Sequence, residues 1–440
     1  MGASAGGHRH RIVIVGGGAG GLVLATRLGS RLGKPDRAEV TLVDASLTHI
    51  WKPLLHEVAA GTLPSNQEYV AFLGHARKHR YHYQYGRFDG LDRSTKRVHL
   101  APVVDDRGEE AIPARTIPYD TLVIAVGSLS NDFGVPGVRE YCDYLDNHKQ
   151  AEDIQQRFLT QCIRAHVAEV TPQKETMGIA IVGAGATGVE FAAEIHKATH
   201  ELVDYGLSHI DPERDVRITL IEAADRVLPA LPPRLSTATL QQLGELGVDV
   251  LTGETVSTIE QTGIHTSSGH FIPARLKLWC AGIKGPDFLA DLDGLEANGR
   301  NQLVVDDTLR TSRDDDIFAL GDCAACQLPG SDRPVPPRAQ AAQQQALALA
   351  ETLERRLEGK PPKRFVYRDY GSLISLSYSS VGNLMGNLIG NVTLEGRKAR
   401  MAYVSLYKKH QLALHGATWL GLMSAAKLIR PGAEPRLKLH

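Results

Sequence analysis

Gly16, Gly18 and Gly21 stand in the spacing G-x-G-x-x-G, and Gly183, Gly185 and Gly188 repeat it 167 residues further on. Each set follows an apolar run (residues 12–15 and 179–182) and opens a stretch of small residues suited to a helix. The chemistry open to such a loop is capture of a pyrophosphate. The first glycine permits the tight turn, and the second lets backbone N–H groups approach the anion. The third lets the helix pack on the strand, and the helix N-terminus then favours negative charge. A lone copy is a weak signal, and the plain reading of either is an ordinary β–α turn. Two copies, each in strand–turn–helix context, suggest one chain holding two dinucleotides, and the usual reason for that is electron transfer between them.

Two carboxylates follow where a ribose needs them. Asp44 ends the next apolar run, 23 residues after Gly21, and Glu222 ends the corresponding run, 34 residues after Gly188. A carboxylate there accepts hydrogen bonds from ribose hydroxyls and repels a 2′-phosphate, so Glu222 argues for NADH over NADPH. Arg226 stands close by as the counter-signal, since NADP sites recruit arginine. Gly127 and Gly282 each end a further apolar run, where backbone could again approach a cofactor. Gly321 and Asp322 end residues 316–320, and this carboxylate could bond the ribityl or phosphate part of a flavin. Cys323 and Cys326 form C-x-x-C, which reads as redox or zinc chemistry. Zinc needs four ligands and no second paired cluster is visible, so no metal is expected and both cysteines read as structural or incidental.

The elements that must position these residues follow from the same runs. Residues 12–15 and 40–43 read as buried strands flanking a helix from Gly20 to about Leu32, a βαβ unit. A second such unit occupies roughly 177–282, its wider spacing explained by an inserted turn at 205–215 (Gly206, Pro212). The chain then returns to the first domain through a short strand at 316–320 and an Ala/Gln-rich helix from Arg338 to about Leu357. Residues 367–403 alternate with Gly/Asn turns and read as a small antiparallel sheet; the last 30 residues read as helical to Arg430. The fold class expected is α/β with two Rossmann-like dinucleotide-binding domains. The division is 8–145 and 301–362 for the first domain, 146–300 for the second, and 363–440 for a C-terminal region.

Bulk composition limits the remaining options. At 440 residues the chain suffices for two or three domains. A net charge of −1 gives no global argument for nucleic acid. No uninterrupted apolar stretch of ~18 residues is present, so no transmembrane helix is expected. The short run before the first strand leaves no room for a secretory h-region. Five unevenly spaced cysteines fit a reducing compartment rather than a disulfide framework. Charge is uneven, however: residues 401–440 hold six Lys/Arg and one acid, a net of +5, which leaves −6 for the rest.

Four stretches carry a resemblance to a known group. They are Thr48-His-Ile-Trp51-Lys52-Pro53-Leu-Leu-His56-Glu57; Gly183 to Glu190; Gly321-Asp322-Cys323-Ala-Ala-Cys326; and Pro337-Arg338-Ala339-Gln340-Ala-Ala342-Gln343-Gln344-Gln345. Together they resemble the two-dinucleotide flavoproteins of the disulfide-reductase-like superfamily. More narrowly they resemble type II NADH dehydrogenase, the single-chain NADH:quinone oxidoreductase, over nearly the whole chain. The last stretch matches the A-Q-x-A-x-Q-Q pattern which that family places beside flavin and quinone. The ending, Pro435-Arg436-Leu-Lys-Leu-His440, also looks like the tail of bacterial members.

The resemblance implies FAD along Gly16, Gly18, Gly21, Asp44, Lys52, Gly127, Asp322 and Ala339, and NADH along Gly183, Gly185, Gly188, Glu222 and Gly282. It implies hydride transfer from NADH to FAD, then two electrons to a membrane quinone (ubiquinone or menaquinone) in a respiratory chain, without proton pumping. Glu190 would sit near nicotinamide and flavin; its bland alternative is a first-turn carboxylate that offsets the helix dipole. Gln340 and Gln344, four apart on one helix face, would orient a quinone carbonyl, against the alternative of a solvated Gln-rich helix. In the basic tail, Leu412, Trp419, Leu420 and Met423 can share a helix face with Lys427 and Arg430 at headgroup level. Such a helix would lie on the cytoplasmic side of the cell membrane, with a homodimer or domain-packing helix as the alternative.

Rival functions are a soluble NADH-dependent reductase of a protein partner, a sulfide:quinone oxidoreductase and a non-catalytic flavin redox sensor. The sulfide enzyme needs reactive cysteines at the flavin, one of them late in the chain, and here none lies beyond Cys326.

Overall fold

The computed structural model describes residues 9–33, 37–63, 69–167, 176–331 and 333–376. Beyond them it describes the backbone of strands at 379–386 and 390–395, and residues 408, 411–414, 421 and 437. The chain divides into two compact units: residues 1–51, 67–129 and 283–368 form the first, and residues 52–66, 130–282 and 369–440 the second.

The first unit is built on a five-stranded parallel sheet. Its spatial order is Ile317–Ala319, Thr121–Ile124, His10–Val15, Ala38–Asp44 and His82–Tyr85. The inner strands are unbroken Val/Ile/Leu runs because both faces are covered, which is how a buried parallel strand is written. The Gly21–Leu32 helix buries Leu22, Leu24, Leu28 and Leu32 and packs on the Ala339–Leu357 helix. Gly20 is required at that crossing, since a Cβ there would lie 2.4 Å from Leu320 Cδ1 and 3.0 Å from the Ala342 carbonyl oxygen.

The second unit repeats this layout: Asp143–Tyr144, Leu276–Trp279, Met177–Val182, Val216–Glu222 and Asp249–Thr252, all parallel. In both sheets the strand before the glycine loop is central. The strand ending in the carboxylate flanks it on one side, and the strand leading to Gly127 or Gly282 flanks it on the other. The units differ in where the outermost strand beside that last one comes from, late in the chain in the first (residue 317) and early in the second (residue 143). This is the α/β architecture of two Rossmann-like domains.

The segment 52–66, expected in the first domain, lies in the second unit. Its Leu55–Ala60 helix buries Leu55, Val58 and Ala59 and packs on the His148–Val167 and Ala186–Asp204 helices. The inserted turn at 205–215 holds a short helix, Pro212–Asp215, whose N-cap Asp211 accepts from the N–H groups of Glu213 and Arg214. Strands Gly371–Leu376, Ser379–Gly386 and Gly390–Glu395 form an antiparallel sheet within the range read as one. Of the tail's expected apolar face only Leu412 is described, exposed in a helical stretch at 411–414; Trp419, Leu420, Met423, Lys427 and Arg430 lie outside the described residues. No helix among the described residues is long and apolar enough to cross a membrane.

Candidate functional site: two matching nucleotide loops and a buried acid

In the first unit the strand ends at Gly16, whose N–H donates to the Val43 carbonyl at 2.8 Å. Gly16 has φ +101°, and a Cβ on it would lie 2.4 Å from the Ala125 carbonyl oxygen. A Cβ on Gly21 would lie 1.8 Å from the Gly16 carbonyl oxygen, so no larger residue fits either place. Asp44 stitches the loop to the second strand: Oδ2 accepts from Gly17 N–H at 2.6 Å and Oδ1 from Ser46 N–H at 2.8 Å. Burial raises the Asp44 pKa, and these two N–H groups oppose the shift. His49 Nδ1 adds a 2.9 Å hydrogen bond to the Gly17 carbonyl.

The second unit reproduces this geometry. Gly183 has φ +100° and donates to Ile221 at 2.7 Å, and a Cβ on Gly188 would lie 2.0 Å from the Gly183 carbonyl oxygen. Glu222 accepts from Ala184 N–H through Oε2 at 2.7 Å and from Ala224 N–H through Oε1 at 2.9 Å. The Arg226 guanidinium is engaged elsewhere, donating to the Leu231 and Pro229 carbonyls at 2.8 and 2.7 Å and to Ser236 Oγ at 2.9 Å. It braces the turn before the Pro233–Glu245 helix.

The same loops leave room for a ligand. No heavy atom lies within 4 Å of a Cβ placed on Gly18, Gly127 or Gly185, although neighbouring glycines are jammed against backbone. Gly127 and Gly282 both take positive φ, +73° and +64°. An open middle glycine, a closed outer pair and a carboxylate at the strand end are the features a dinucleotide's pyrophosphate and ribose require. The residues fit FAD in the first unit and NADH in the second.

Asp322 is oriented by Ser128, whose Oγ donates to Oδ2 at 2.9 Å. The Gln302 amide donates to the Asp322 carbonyl at 2.8 Å. Gly321 N–H donates to Gln345 Oε1 at 2.7 Å, and Gln345 is buried. This contact was missed in the sequence. Its signal was a polar residue on the buried face made by Ala341, Ala342, Ala346 and Leu349. Ala339 begins the helix. Gln340 is half-buried in its first turn, and Gln344 pairs its amide with Arg368, donating to the carbonyl at 2.9 Å and accepting from the N–H at 3.0 Å. Lys52, in the second unit, lies 3.8 Å from Asp146, which also accepts from Ser130.

Glu190 departs from its expected first-turn position. The Ala186–Asp204 helix has no acid in its first turn, and Glu190 falls just beyond it, on the buried face, 6 % exposed. Its Oε1 accepts from Ser375 N–H at 2.9 Å, and its Oε2 lies 3.7 Å from His56 Nδ1. Burial above all pushes the Glu190 carboxyl well above the usual range; the Ser375 N–H pulls the other way, and Glu57 and Glu194 push with burial. Burial likewise lowers His56 to about 4, against the charge of Glu194 and a backbone bond to Pro53. Glu194 accepts from Thr62 Oγ1 at 2.7 Å and lies 3.6 Å from Lys197 Nζ. The pocket therefore favours a protonated Glu190 beside a neutral imidazole.

Cys323 and Cys326 are buried, free thiols. Cys323 Sγ donates to the Leu320 and Ile124 carbonyls at 3.3 and 3.5 Å, and Cys326 Sγ to Asp306 at 3.8 Å. Burial pushes their pKa values up to about 11 and about 12, so neither is a ready thiolate.

Comparison with known proteins agrees with this geometry. Residues 10–346 match the family model described as pyridine nucleotide-disulphide oxidoreductase. The chain is 43% identical to a type II NADH:quinone oxidoreductase of Haemophilus influenzae, over 98% of this chain and 99% of that protein. Its fold is similar to the structure of NDH2 from Plasmodium falciparum in complex with NADH (TM-score 0.81, 20% identity, 98% of this chain and 100% of that one). It is less similar to the sulfide:quinone oxidoreductase of Aquifex aeolicus (TM-score 0.71, 19% identity, 97% and 96% covered). Two dinucleotide loops of matching construction, and 43% identity to such an enzyme over nearly the full length of both chains, lead to one conclusion: this chain belongs to the type II NADH:quinone oxidoreductase family, enzymes that use FAD and NADH.

Proposed function

We propose that FAD is held along Gly16, Gly18, Gly21, Asp44, Gly127, Asp322 and Ala339, with Lys52 as a further contact. NADH is held along Gly183, Gly185, Gly188, Glu222 and Gly282. When bound, FAD accepts a hydride from NADH and delivers two electrons to a quinone. The observation that supports this most directly is the matched pair of loops, each with an open middle glycine and a carboxylate braced by two N–H groups.

The chain's own residues then have defined tasks. Loop N–H groups and helix N-termini bind pyrophosphate. Glu222 accepts from ribose hydroxyls and disfavours a 2′-phosphate, with Arg226 already committed to the turn. Glu190 keeps a proton on its carboxyl for quinone reduction. Gln340 and Gln344 orient a quinone carbonyl without adding fixed charge.

The quinone is a membrane ubiquinone or menaquinone, reached by a peripheral homodimer on the cytoplasmic face of the cell membrane. The basic C-terminal region supplies attraction to anionic lipid, and no proton is pumped. Anaerobic NADH should bleach the flavin of the purified protein, and a short-chain quinone should restore it within seconds. Bleaching without recovery would point instead to a protein acceptor. Deleting residues 411–440 should release the enzyme from vesicles with flavin content intact; continued sedimentation with lipid would remove the tail from the proposal.

A further inference from the structure

The Ala186–Asp204 helix carries His196 and His200 four residues apart, which stacks them on one face. Their Nε2 atoms lie 3.1 Å apart. The Pro212–Asp215 helix brings Glu213 to the same place, with Oε1 3.9 Å from His196 Nε2 and 3.5 Å from His200 Nε2. None of the three has a task in the activity above. The carboxylate is too far from either ring for a hydrogen bond. The two facing nitrogens accommodate one proton between them.

These separations have the scale of ligand–ligand edges around a small cation. With metal–nitrogen and metal–oxygen bonds of ~2.0–2.2 Å, tetrahedral edges are roughly 3.3–3.6 Å. The nearest point equidistant from three atoms separated by 3.1, 3.5 and 3.9 Å lies about 2.05 Å from each, and about 0.7 Å out of their plane, toward a fourth ligand, the distance is about 2.2 Å. Imidazole nitrogen also selects the cation class: zinc and its first-row neighbours take such ligands, whereas magnesium and calcium take oxygen.

We propose that His196 Nε2, His200 Nε2 and Glu213 Oε1 bind one zinc-type divalent cation, with water in the fourth position. The site is open enough for that water, since Glu213 is 67% exposed while His196 is 16% exposed. The Nδ1 of His196 is buried without a hydrogen-bond partner in the structure, leaving Nε2 as the ring nitrogen that faces a partner. Binding would clip the inserted 205–215 segment to the helix that also carries Glu190. No paired-cysteine cluster in the sequence announces a metal; the ligands come instead from one helical turn and an insertion.

The test uses chelator-treated, flavin-loaded full-length enzyme titrated with Co²⁺ and then Zn²⁺. Cobalt should give the visible bands of a low-symmetry site at one equivalent, and zinc should displace it. His196→Gln and His200→Gln should each weaken zinc binding roughly tenfold or more, and Glu213→Gln less, with flavin content unchanged. Zinc affinity in the two histidine variants as high as in the unsubstituted enzyme would overturn the site, as would absence of the cobalt bands. Should a variant fail to fold, diethylpyrocarbonate modification of the unsubstituted enzyme decides. Protection of His196 and His200 by zinc supports the site, and unchanged modification of both overturns it.

Discussion

His56 Nδ1 lies 3.7 Å from Glu190 Oε2, in a pocket where both side chains are over nine-tenths buried. The helix bearing His56 and the helix bearing Glu190 pack together within the second unit, and Glu57 and Glu194 add two further carboxylates from the same pair of helices. One proton on Glu190 lowers the negative charge that this arrangement would otherwise bury. That relationship gives the acid a reason for its raised pKa which is independent of any ligand.

Stability should carry its signature, with opposite signs for the two groups. Glu190 has a folded pKa above its unfolded value of ~4.3, so its contribution is full below that pH and is lost as pH rises through the folded pKa. His56 is lowered to about 4, so its contribution is present above ~6.5 and is lost as pH falls toward 4. At ~1.4 kcal/mol per pKa unit, His56 can account for about 3 kcal/mol at most. Glu190→Gln should therefore lose less stability than the unsubstituted enzyme as pH rises above ~4.3, and His56→Gln should flatten the acid limb from pH 6.5 to 4.5. Thermal midpoints by far-ultraviolet circular dichroism read both. Parallel pH profiles for all three proteins would refute the buried-pair account.

The two glycine types should separate folding from binding. A Cβ at Gly185 meets no heavy atom within 4 Å, whereas one at Gly188 would lie 2.0 Å from the Gly183 carbonyl oxygen. Gly185→Ala should leave the ligand-free melting temperature within about 2 °C and raise the KM for NADH roughly tenfold, because only the ligand's approach is blocked. Gly188→Ala should cost several degrees by itself. Equal melting temperatures for the two variants would show that the helix does not need its close contact.

Much of this was legible in the chain. Buried parallel strands covered on both faces are written as unbroken Val/Ile runs, so residues 12–15 and 179–182 declare themselves, and the glycines and carboxylates follow by counting. The partner of the Leu55–Ala60 helix was not legible: Leu55, Val58 and Ala59 state that a face is buried, not what covers it. The turn of the helix that carries Glu190 was misplaced for a related reason. Counting from Gly188 placed it in the first turn, but the helix begins at Ala186, and one more residue of rotation carries the side chain inward to Ser375 and His56. The His196–His200–Glu213 cluster needed the fold of the insertion before its third member could be seen.

Coenzyme choice should turn on Glu222. Its two oxygens already accept from Ala184 and Ala224 and retain lone pairs for ribose hydroxyls, while Arg226 is held by carbonyls of its own turn. Glu222→Arg should lower the ratio of kcat/KM for NADH over NADPH by roughly tenfold or more, through lost ribose bonding and gained phosphate pairing. An unchanged ratio would remove Glu222 from coenzyme selection.

Gln345 should be felt at the flavin although it lies on the helix's buried face. Replacing it with Leu leaves Gly321 N–H without its buried acceptor, a cost of about 1–3 kcal/mol. Since Gly321 precedes Asp322, the variant should release FAD faster on dilution, read as recovery of flavin fluorescence. An unchanged release rate would mean that the Gly321 turn is held by its neighbours alone.

All five cysteines should be silent in the native enzyme. Burial raises Cys142, Cys162, Cys280 and Cys326 to about 12 and Cys323 to about 11. At pH 8 a thiol with pKa 11 is only about one part in a thousand thiolate, and the sulfurs of all but the half-buried Cys280 are also shielded from reagent. Ellman's reagent should therefore find essentially no thiol in the folded protein within minutes and five after denaturation, with NADH:quinone activity unchanged by the exposure. Cys323→Ala and Cys326→Ala should keep turnover within about twofold, since each thiol donates only to backbone carbonyls. Rapid labelling of Cys323 or Cys326 in the native state, or loss of turnover in either variant, would overturn the reading of this pair as structural and give it a redox role.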